Sequence, residues 1–293
     1  MSSHPDVAIG FQPCDNLYRL KEYIPLRMAA NHLKELDKLK IAAQLYTLRE
    51  FLKTEADIAT TLQKVKDIGY NAVQNSGLGP ISPEKLKEIA DRVGVEICAT
   101  HIPFADMTDK FDEVVATHKL WNCKYPGIGG LPNEYRTSAE GYVQFAKIGS
   151  EVARKFKAAG LQFIYHNHAF EYKRFDGKSG MEILLEESDP NAFGFELDVH
   201  WVQAGGADPI EWIHKVKGRM QVVHLKDFTI ASGSERIFAE VGEGNMNFKG
   251  ILQACEETGV EWGAVEQDNC YGRDPFESLA ISARNLKALG AKF

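Results

Sequence analysis

From about residue 40 onward, short apolar runs alternate with longer amphipathic ones along the whole chain. The short runs are typical of buried strands, and the longer ones carry apolar residues at helical spacing. In the first long run, Ile58, Leu62, Val65 and Ile68 recur at that spacing, and Gly69 follows as a common helix end. The predicted strands cover 40–45, 71–74, 95–103, 123–128, 161–168, 193–199, 220–225 and 260–266. The predicted helices cover 55–68, 82–93, 108–118, 138–159, 180–187, 208–216, 248–258 and 275–289, with Ser82 before Pro83 and Asp208 before Pro209 as predicted N-caps.

Eight strand–helix units predict a parallel sheet that closes on itself. Strands that alternate with helices favour a parallel sheet, and eight such units in roughly 250 residues fit a (β/α)8 or TIM barrel. The main alternative is an open doubly wound sheet, which normally carries a G-x-G-x-x-G turn after its first strand. Here the first strand is followed by Tyr46-Thr47-Leu48-Arg49. We therefore predict an α/β fold with one TIM barrel over residues 40–293.

Residues 1–39 lie outside this repeat and are predicted to pack on the barrel as an N-terminal extension. They include a helical stretch at about 26–39, where Met28, Leu33, Leu36 and Leu39 are apolar. A helix that closes the bottom of the barrel or packs beside it is the simplest interpretation. A substrate lid and a subunit contact, as in a homo-oligomer, are the alternatives. No shift in composition indicates a second domain.

The charge and cysteine content exclude several classes of protein. The 293 residues carry 34 Lys and Arg against 41 Asp and Glu, a net charge of −7, which argues against nucleic-acid or anionic-membrane binding. No apolar run approaches the roughly 18 to 20 residues of a membrane-spanning helix, and the N-terminus does not resemble a secretory signal. The five cysteines are scattered and odd in number, which favours reduced thiols. These features predict a cytoplasmic protein.

Polar side chains follow nearly every predicted strand. In a TIM barrel the chemistry lies at the carboxyl ends of the strands. Buried strands need not end in polar residues unless those residues surround something charged. The side chains at these ends are Gln44, Tyr46, Gln74, His101, His166, His168, Glu171, Asp198, His200, His224, Lys226, Glu266 and Asp268.

Three of these carboxylates and one imidazole predict a cation site. Glu171, Asp198, His224 and Glu266 come from four different strands, and their mixture suits Mn²⁺, Mg²⁺, Co²⁺ or Zn²⁺. Without a cation, converging carboxylates would repel one another and raise each other's pKa. Each residue alone has a simpler interpretation: Asp198 could cap a turn, and Glu266 could pair with Lys226. The combination favours a metal site.

The sequence around these residues resembles a known family. The stretches that carry the resemblance are YHNHAFEY (165–172), FELDVHWVQAGGADP (195–209), VVHLKD (222–227), VGEGNMNFKGIL (241–252) and AVEQD (264–268). They resemble the xylose isomerase-like TIM barrels, the sugar phosphate isomerase/epimerase group that also contains the family 2 AP endonucleases. AAQLYTLRE (42–50) and AVQNSGLGP (72–80) match the first two strands of this group. The resemblance identifies the superfamily, but it is only weak evidence for a particular reaction because this superfamily hosts many.

This resemblance implies one divalent metal, with Mn²⁺ expected first, held by a Glu, Asp, His, Glu set from strands five to eight. Asp198, His224 and Glu266 match the last three members. Many epimerases place the first glutamate early in strand five, where this chain has His166 or His168. Glu171 is the nearest carboxylate and is the predicted ligand, with His168 as its substitute.

The resemblance also implies a mechanism through a metal-stabilised enediolate. A metal chelated by a carbonyl oxygen and the neighbouring hydroxyl of a ketose acidifies the C–H between them. A base then removes the proton and an acid returns it. The predicted catalytic residues are His166, His168, Lys226 and Glu266, with His168 or Glu266 as base and Lys226 neutralising the oxyanion. The predicted substrate-binding residues are Tyr46, Gln74, His101, His200 and Trp201, and Phe104 is a further candidate for stacking on a sugar.

We expect a sugar isomerase or epimerase, with three alternatives. A lyase or hydratase of a keto-sugar, a keto-inositol or a 3-keto-glycoside differs only in the fate of the enediolate, and the HNH of strand five favours it. An AP endonuclease would need about three metals and a basic groove, and no Lys/Arg cluster lies near the motifs. A non-enzymatic sugar-binding protein would not need the ring of His, Glu and Asp. The acidic Glu243 between Gly242 and Gly244 disfavours phosphate, so the expected substrate is an unphosphorylated sugar or keto-sugar.

Overall fold

Eight parallel strands form a closed barrel in the computed structural model, which describes residue 36 and residues 38–293. Each strand pairs with its sequence neighbours, and the first closes the barrel against the last through Lys40 to Ala43 opposite Trp262 to Val265. This confirms the predicted TIM barrel. The strands are β1 (Lys40–Gln44), β2 (Ala72–Asn75), β3 (Glu96–His101), β4 (Tyr125–Ile128), β5 (Ile164–His166), β6 (Gly194–Asp198), β7 (Val222–Leu225) and β8 (Trp262–Val265).

Two of the helices on the outside of the barrel begin at N-caps that the sequence predicts. Ser82 accepts a hydrogen bond from the Lys85 amide ahead of Pro83, and Asp208 caps its helix ahead of Pro209. Gly69 ends the first helix in the left-handed conformation. The helices are α1 (Glu55–Ile68), α2 (Pro83–Val93), α3 (Phe104–Asp109), α4 (Phe111–Trp121), α5 (Ala139–Ala158), α6 (Gly180–Glu187), α7 (Val199–Ala204), α8 (Pro209–Lys215), α9 (Phe248–Thr258) and α10 (Pro275–Ala288).

Several predicted boundaries were wrong. The single helix at 108–118 is two helices, α3 and α4, because the backbone leaves the helical conformation at Lys110. The fifth strand ends at His166, and the chain then turns into a short 3-10 helix, Phe170–Tyr172. A hairpin of Asp227–Ile230 with Arg236–Ala239 follows β7 and was not predicted. The predicted N-terminal helix at 26–39 lies outside the described residues, except that Leu36 and residues 38 and 39 are described and are not helical.

An apolar layer fills the lower half of the barrel and supports the polar upper half. Its members come from the starts and middles of the strands, and small side chains lie beside two large rings, those of Tyr125 and Trp262. Because β-strand side chains alternate and the strands run in parallel, the residues that follow this layer point into the same upper space. The layer consists of Ala42, Ala72, Cys98, Ala99, Tyr125, Ile164, Val222 and Trp262.

None of the helices in the described part of the chain combines the length and the apolar character that crossing a bilayer requires.

Candidate metal centre

Four buried side chains from the carboxyl ends of β5 to β8 converge at the upper end of the barrel. His166 ends β5, Asp198 ends β6, His224 lies in β7, and Glu266 directly follows β8. Each offers one ligand atom, and these four atoms all lie within 4.8 Å of one another. His224 Nδ1 is 3.0 Å from Glu266 Oε2 and 3.9 Å from Asp198 Oδ2, and His166 Nε2 is 3.4 Å from Asp198 Oδ2.

Two atoms of this group are buried without a hydrogen-bond partner among the described residues. They are His166 Nε2 and Asp198 Oδ2. Asp198 Oδ2 has an ion-pair contact with Lys226 Nζ at 2.9 Å, but the contact is not aligned as a hydrogen bond. A buried polar atom without a partner is costly, and a divalent cation would use both lone pairs. Two nitrogen and two oxygen donors fit a borderline or hard divalent ion, so the residues present fit the expected metal.

The structure brings together three of the four predicted ligands and leaves Glu171 outside the group. The side chain of Glu171 is fully buried, and its carboxylate accepts hydrogen bonds from Tyr165 Oη at 2.7 Å and from the His168 amide at 2.9 Å. His166 takes the fourth place. The physical reason is the early end of β5, because the chain turns after His166 and Glu171 is used to hold that turn.

Burial raises the pKa of Glu171 to about 8, and its hydrogen bonds oppose this shift only in part. We expect its contribution to the free energy of unfolding to fall by about 3.5 kcal/mol as pH rises from 5 to 8. The unfolded chain loses this proton near 4.5, while the folded chain keeps it to about pH 8, so higher pH favours unfolding. Glu171→Gln should remove this dependence and be the more stable form at pH 8.

Urea denaturation of both proteins at pH 5, 6.5 and 8 measures this effect. Glu186→Gln, at a half-exposed surface glutamate, is the control and should follow the wild type at every pH. Curves of free energy against pH that run parallel for the wild type and Glu171→Gln would contradict the prediction.

Lys226 is the cation that faces the carboxylates of the group. Its buried Nζ lies 2.9 Å from Asp198 Oδ2, 2.7 Å from Glu266 Oε2 and 3.0 Å from Asp268 Oδ2. Burial disfavours the charged ammonium, but the three carboxylates outweigh burial and raise the pKa of Lys226. Burial alone would raise the pKa of Asp198 and of Glu266, and Lys226 is the main partner that holds both well below their usual range. Lys226 therefore offsets part of the carboxylate repulsion expected from the sequence.

We expect Lys226→Met to destabilise the metal-free protein by about 3–5 kcal/mol, because it leaves buried carboxylates without their partner. A divalent cation at the same carboxylates should restore most of this loss. Loss of the ammonium should also raise the affinity for Mn²⁺, because a positive charge next to the site disappears.

Chemical denaturation with and without Mn²⁺, together with calorimetric titration of Mn²⁺, tests both effects. Lys110→Met is the control, since the ion pair of Lys110 with Asp106 is exposed and should change neither quantity measurably. An equal loss of stability with and without Mn²⁺ would count against the cation site.

A second buried group lies directly beneath the first. The Glu196 carboxylate contacts His101 Nε2 at 2.5 Å, Gln74 Nε2 at 2.7 Å and His224 Nε2 at 3.3 Å. Burial alone would lower the pKa of His224, but Glu196 and Glu266 raise it to about 10 in the absence of a cation. Gln74 and His101 were predicted to bind substrate, and Gln74 is instead fully buried in this group. Glu196 was not predicted, although it lies two residues before Asp198 and therefore on the same inner face of β6.

A cavity of about 520 Å³ opens above the candidate ligands. His168 is part of its wall, and Nδ1 of this ring is buried without a hydrogen-bond partner among the described residues. Burial, followed by the charge of His166, lowers the pKa of His168 to about 3, so this ring is neutral. The predicted residues that line the cavity are Tyr46, His101, His166, His168, Trp201, Lys226 and Glu266, and the others are Arg49, Ser76, Gly129, Phe238 and Asp268.

Two predicted substrate contacts lie elsewhere. The His200 ring packs on Phe228 and Phe238, with ring centroids 5.3 and 4.9 Å away, and is not part of the cavity wall. Burial lowers the pKa of His200 to about 4. Phe104 packs on Phe145 with ring centroids 5.1 Å apart, which makes it a core contact.

The unpredicted hairpin after β7 supplies Phe238 to the cavity wall. Its first residue, Asp227, accepts hydrogen bonds from the amides of Gly242, Gly244 and Met246. A side chain at position 244 would meet the Asp227 carboxylate at 2.2 Å, so this close approach needs glycine. Asp227 therefore ties the hairpin to the loop at 241–246, and the glycines of that loop serve this contact.

Comparisons with known proteins agree with this architecture. The family model of the xylose isomerase-like TIM barrel matches residues 62–287. The solved structure of a sugar phosphate isomerase/epimerase from Parabacteroides distasonis is 26% identical, with a TM-score of 0.71 over 86% of this chain and 94% of that one. The structure of an L-ribulose 3-epimerase, 17% identical, has a TM-score of 0.66 over 86% and 94% of the two chains and shows the fold alone.

Among curated relatives, the inosose dehydratase of Geobacillus kaustophilus is 25% identical over 196 residues, which are 57% of this chain and 60% of that protein. The inosose dehydratase of Lacticaseibacillus casei is 23% identical over 148 residues, 45% and 49% of the two chains. The matched regions thus span about half to three fifths of the length of these dehydratases. The family model matches most of this chain, and the closed barrel agrees with it. This chain therefore belongs to the xylose isomerase-like TIM barrel family.

Proposed function

We propose that this protein is a divalent-metal-dependent sugar isomerase or epimerase that moves a proton next to a carbonyl group. One observation carries the proposal: four buried ligand atoms lie within 4.8 Å of one another, and two of the four residues, His166 and Glu266, line a cavity whose wall also includes the neutral His168. We assign the cation, Mn²⁺ in the first place, to His166, Asp198, His224 and Glu266. Proton transfer from carbon needs a base and a nearby positive charge, and this arrangement supplies both.

These four residues would hold a divalent cation, which would supply Lewis acidity for the negative charge that develops on a substrate oxygen. His168 is the base, because its ring is neutral and Nδ1 has no partner among the described residues. Glu266 is less available as a base because Lys226 lies 2.7 Å from its Oε2. Lys226 offsets negative charge at the rim, and His101 binds a hydroxyl group. Trp201 supplies an apolar face for the sugar.

We further propose that the substrate carries no phosphate. Phosphate sites of TIM barrels use free backbone amides in the loops after strands seven and eight. Here the amides of Gly242 and Gly244 donate to Asp227. The two cationic side chains of the cavity wall are also in use, since Lys226 pairs with three carboxylates and Arg49 donates to the carbonyl oxygens of Tyr46 and Asp268.

A lyase acting on a keto-sugar, a keto-inositol or a 3-keto-glycoside is the second candidate. Two observations favour it: β5 offers His166 in place of a glutamate, and the matched curated relatives include inosose dehydratases. Both reactions begin with removal of the proton next to the carbonyl. In the lyase, the C–O bond at the next carbon then breaks, a C=C bond forms, and the departing oxygen takes up a proton. Asp268, which lines the cavity and whose pKa is raised by burial and by Glu266, is the candidate donor.

The experiment that tests both is solvent-deuterium exchange. The Mn²⁺-loaded protein is incubated in D₂O with ketoses, an inosose and 3-keto-glycosides, and products are followed by NMR and mass spectrometry. Deuterium in an isomerised sugar, with no fragment released, supports the isomerase. Release of water or an aglycone supports the lyase. If Mn²⁺ binds and no substrate exchanges a proton, the enzymatic proposal is wrong and a sugar-binding protein remains. The metal-free protein, prepared with a chelator, is the control for background exchange.

A further inference from the structure

Glu196 is a buried carboxylate that the proposed proton transfer does not use. It lies on β6, two residues before Asp198, and is fully buried. We infer that Glu196 is a positioning residue that acts through Gln74 to fix the proton of His224 on Nε2, so that Nδ1 faces the cation site. This inference rests on the cation site of the proposed function.

The contacts form a chain that crosses the barrel. Gln74 lies in β2, on the opposite side of the barrel from β6, and donates from Nε2 to Glu196 Oε1 at 2.7 Å. The same amide presents Oε1 to His224 Nε2 at 2.8 Å. Glu196 Oε1 itself lies 3.3 Å from His224 Nε2. All three side chains are fully buried.

The hydrogen-bonding capacity of each group sets the direction of this chain. A carboxylate can only accept, so the NH₂ of Gln74 must face Glu196. The carbonyl oxygen of Gln74 then faces His224 and can only accept, so Nε2 of His224 must carry a proton. In the metal-free chain Nδ1 faces Glu266 Oε2 at 3.0 Å, and because this carboxylate also can only accept, Nδ1 carries a proton there too. A cation in the upper group would take the place of the proton on Nδ1, since the proton on Nε2 is held by Gln74. A partner of this kind behind a ligating histidine fixes its tautomer and orientation.

Glu196 acts on His101 by the same rule. Oε2 of Glu196 is 2.5 Å from His101 Nε2, and because the carboxylate can only accept, this nitrogen must carry a proton. His101 lies between the lower group and the cavity, so one carboxylate orders two rings of the site. In the wild-type chain, this arrangement predicts one cation, in the upper group.

The first test measures the tautomer in the wild-type protein. The Zn²⁺-loaded protein, in which the ion is diamagnetic, is labelled with ¹⁵N, and long-range ¹H–¹⁵N spectra report which ring nitrogen carries hydrogen. The signals of His224 are assigned by their absence in His224→Gln. We expect hydrogen on Nε2 and none on Nδ1. Hydrogen on Nδ1 overturns the inference, and this result does not depend on any variant at Glu196.

The second test replaces the Glu196 carboxylate, which can only accept hydrogen bonds, with an amide that can also donate them. Glu196→Gln keeps the shape of the side chain but lets its NH₂ face Gln74, which frees that amide to turn. We expect a 10- to 100-fold loss of Zn²⁺ and Mn²⁺ affinity by titration against a competing chelator. Glu261→Gln is the matched control, because Glu261 is a carboxylate that accepts from Tyr125 Oη next to the start of β8, and it should bind both ions as the wild type does.

The outcomes separate this inference from the proposed function. Unchanged affinity in Glu196→Gln overturns the inference, and so do two cations per wild-type chain, since Glu196 would then be a ligand in the lower group with His101 and His224. A wild type that binds one Zn²⁺ with His224 protonated on Nε2, but exchanges no sugar proton, supports the inference and refutes the enzymatic proposal. A wild type that binds no divalent cation refutes both.

Discussion

Asp198→Asn is expected to lower Mn²⁺ affinity by roughly 100-fold or more and sugar-proton exchange by about 10³-fold, since a catalytic cation is worth several kcal/mol. This substitution removes one oxygen that could bind a cation and preserves the role of the other as a helix cap. Asp198 Oδ1 accepts the Trp201 amide at 3.1 Å and caps α7, and asparagine keeps this cap. At Oδ2 the variant places an NH₂ group, which offers no lone pair to a cation.

The control for this variant is Asp208→Asn. Asp208 caps α8 by accepting from the amides of Ile210 and Glu211, so the same chemical change is made at a cap outside the cavity. Its Mn²⁺ affinity and exchange rate should equal those of the wild type. If Asp198→Asn binds Mn²⁺ as tightly as Asp208→Asn does, the cation does not lie at Asp198.

His168→Gln is expected to slow proton exchange by about 10²- to 10⁴-fold, the usual contribution of a general base, while Mn²⁺ affinity stays near that of the wild type. Glutamine fills similar space but cannot take up a proton. Because burial and then His166 lower the pKa of His168 to about 3, the wild-type base is neutral throughout pH 6 to 8. The wild-type exchange rate should therefore show no step near pH 6.5, the ordinary pKa of histidine.

His118→Gln is the matched control for the loss of a neutral buried histidine. Burial lowers the pKa of His118, whose ring contacts Thr100 Oγ1 at 2.9 Å on the outside of the barrel. Its loss should reduce stability but leave exchange per folded molecule unchanged. A strong loss of Mn²⁺ affinity in His168→Gln would assign His168 to the ligand set, as the substitute that the sequence allows for Glu171.

The barrel and the convergence of Asp198, His224 and Glu266 could be predicted from the sequence because both follow from local rules. Period and helix caps are properties of a few neighbouring residues. Parallel strands then bring their carboxyl ends to one rim, whatever the distance along the chain. The predicted caps Ser82 and Asp208 illustrate how reliable such local signals are.

The rest of the site depends on tertiary contacts that no local pattern encodes. Whether His166 or Glu171 joins the upper group is decided by where β5 ends, and the bonds from Tyr165 and the His168 amide to Glu171 decide that. Glu196 was open to prediction by alternation along β6, but only the contact with Gln74 from across the barrel gives it a role. The three ion pairs of Lys226 likewise join residues from different strands.

The hydrogen bonds between Asp227 and the loop at 241–246 have a consequence for how a ligand binds in the cavity. Because three amides of that loop already have a partner within the chain, the edge beside Phe238 is rigid before anything arrives. Association then loses little conformational freedom there, which favours affinity for a molecule of the right outline. The same stiffness penalises any molecule whose outline would require that edge to yield, so discrimination on this side rests on shape.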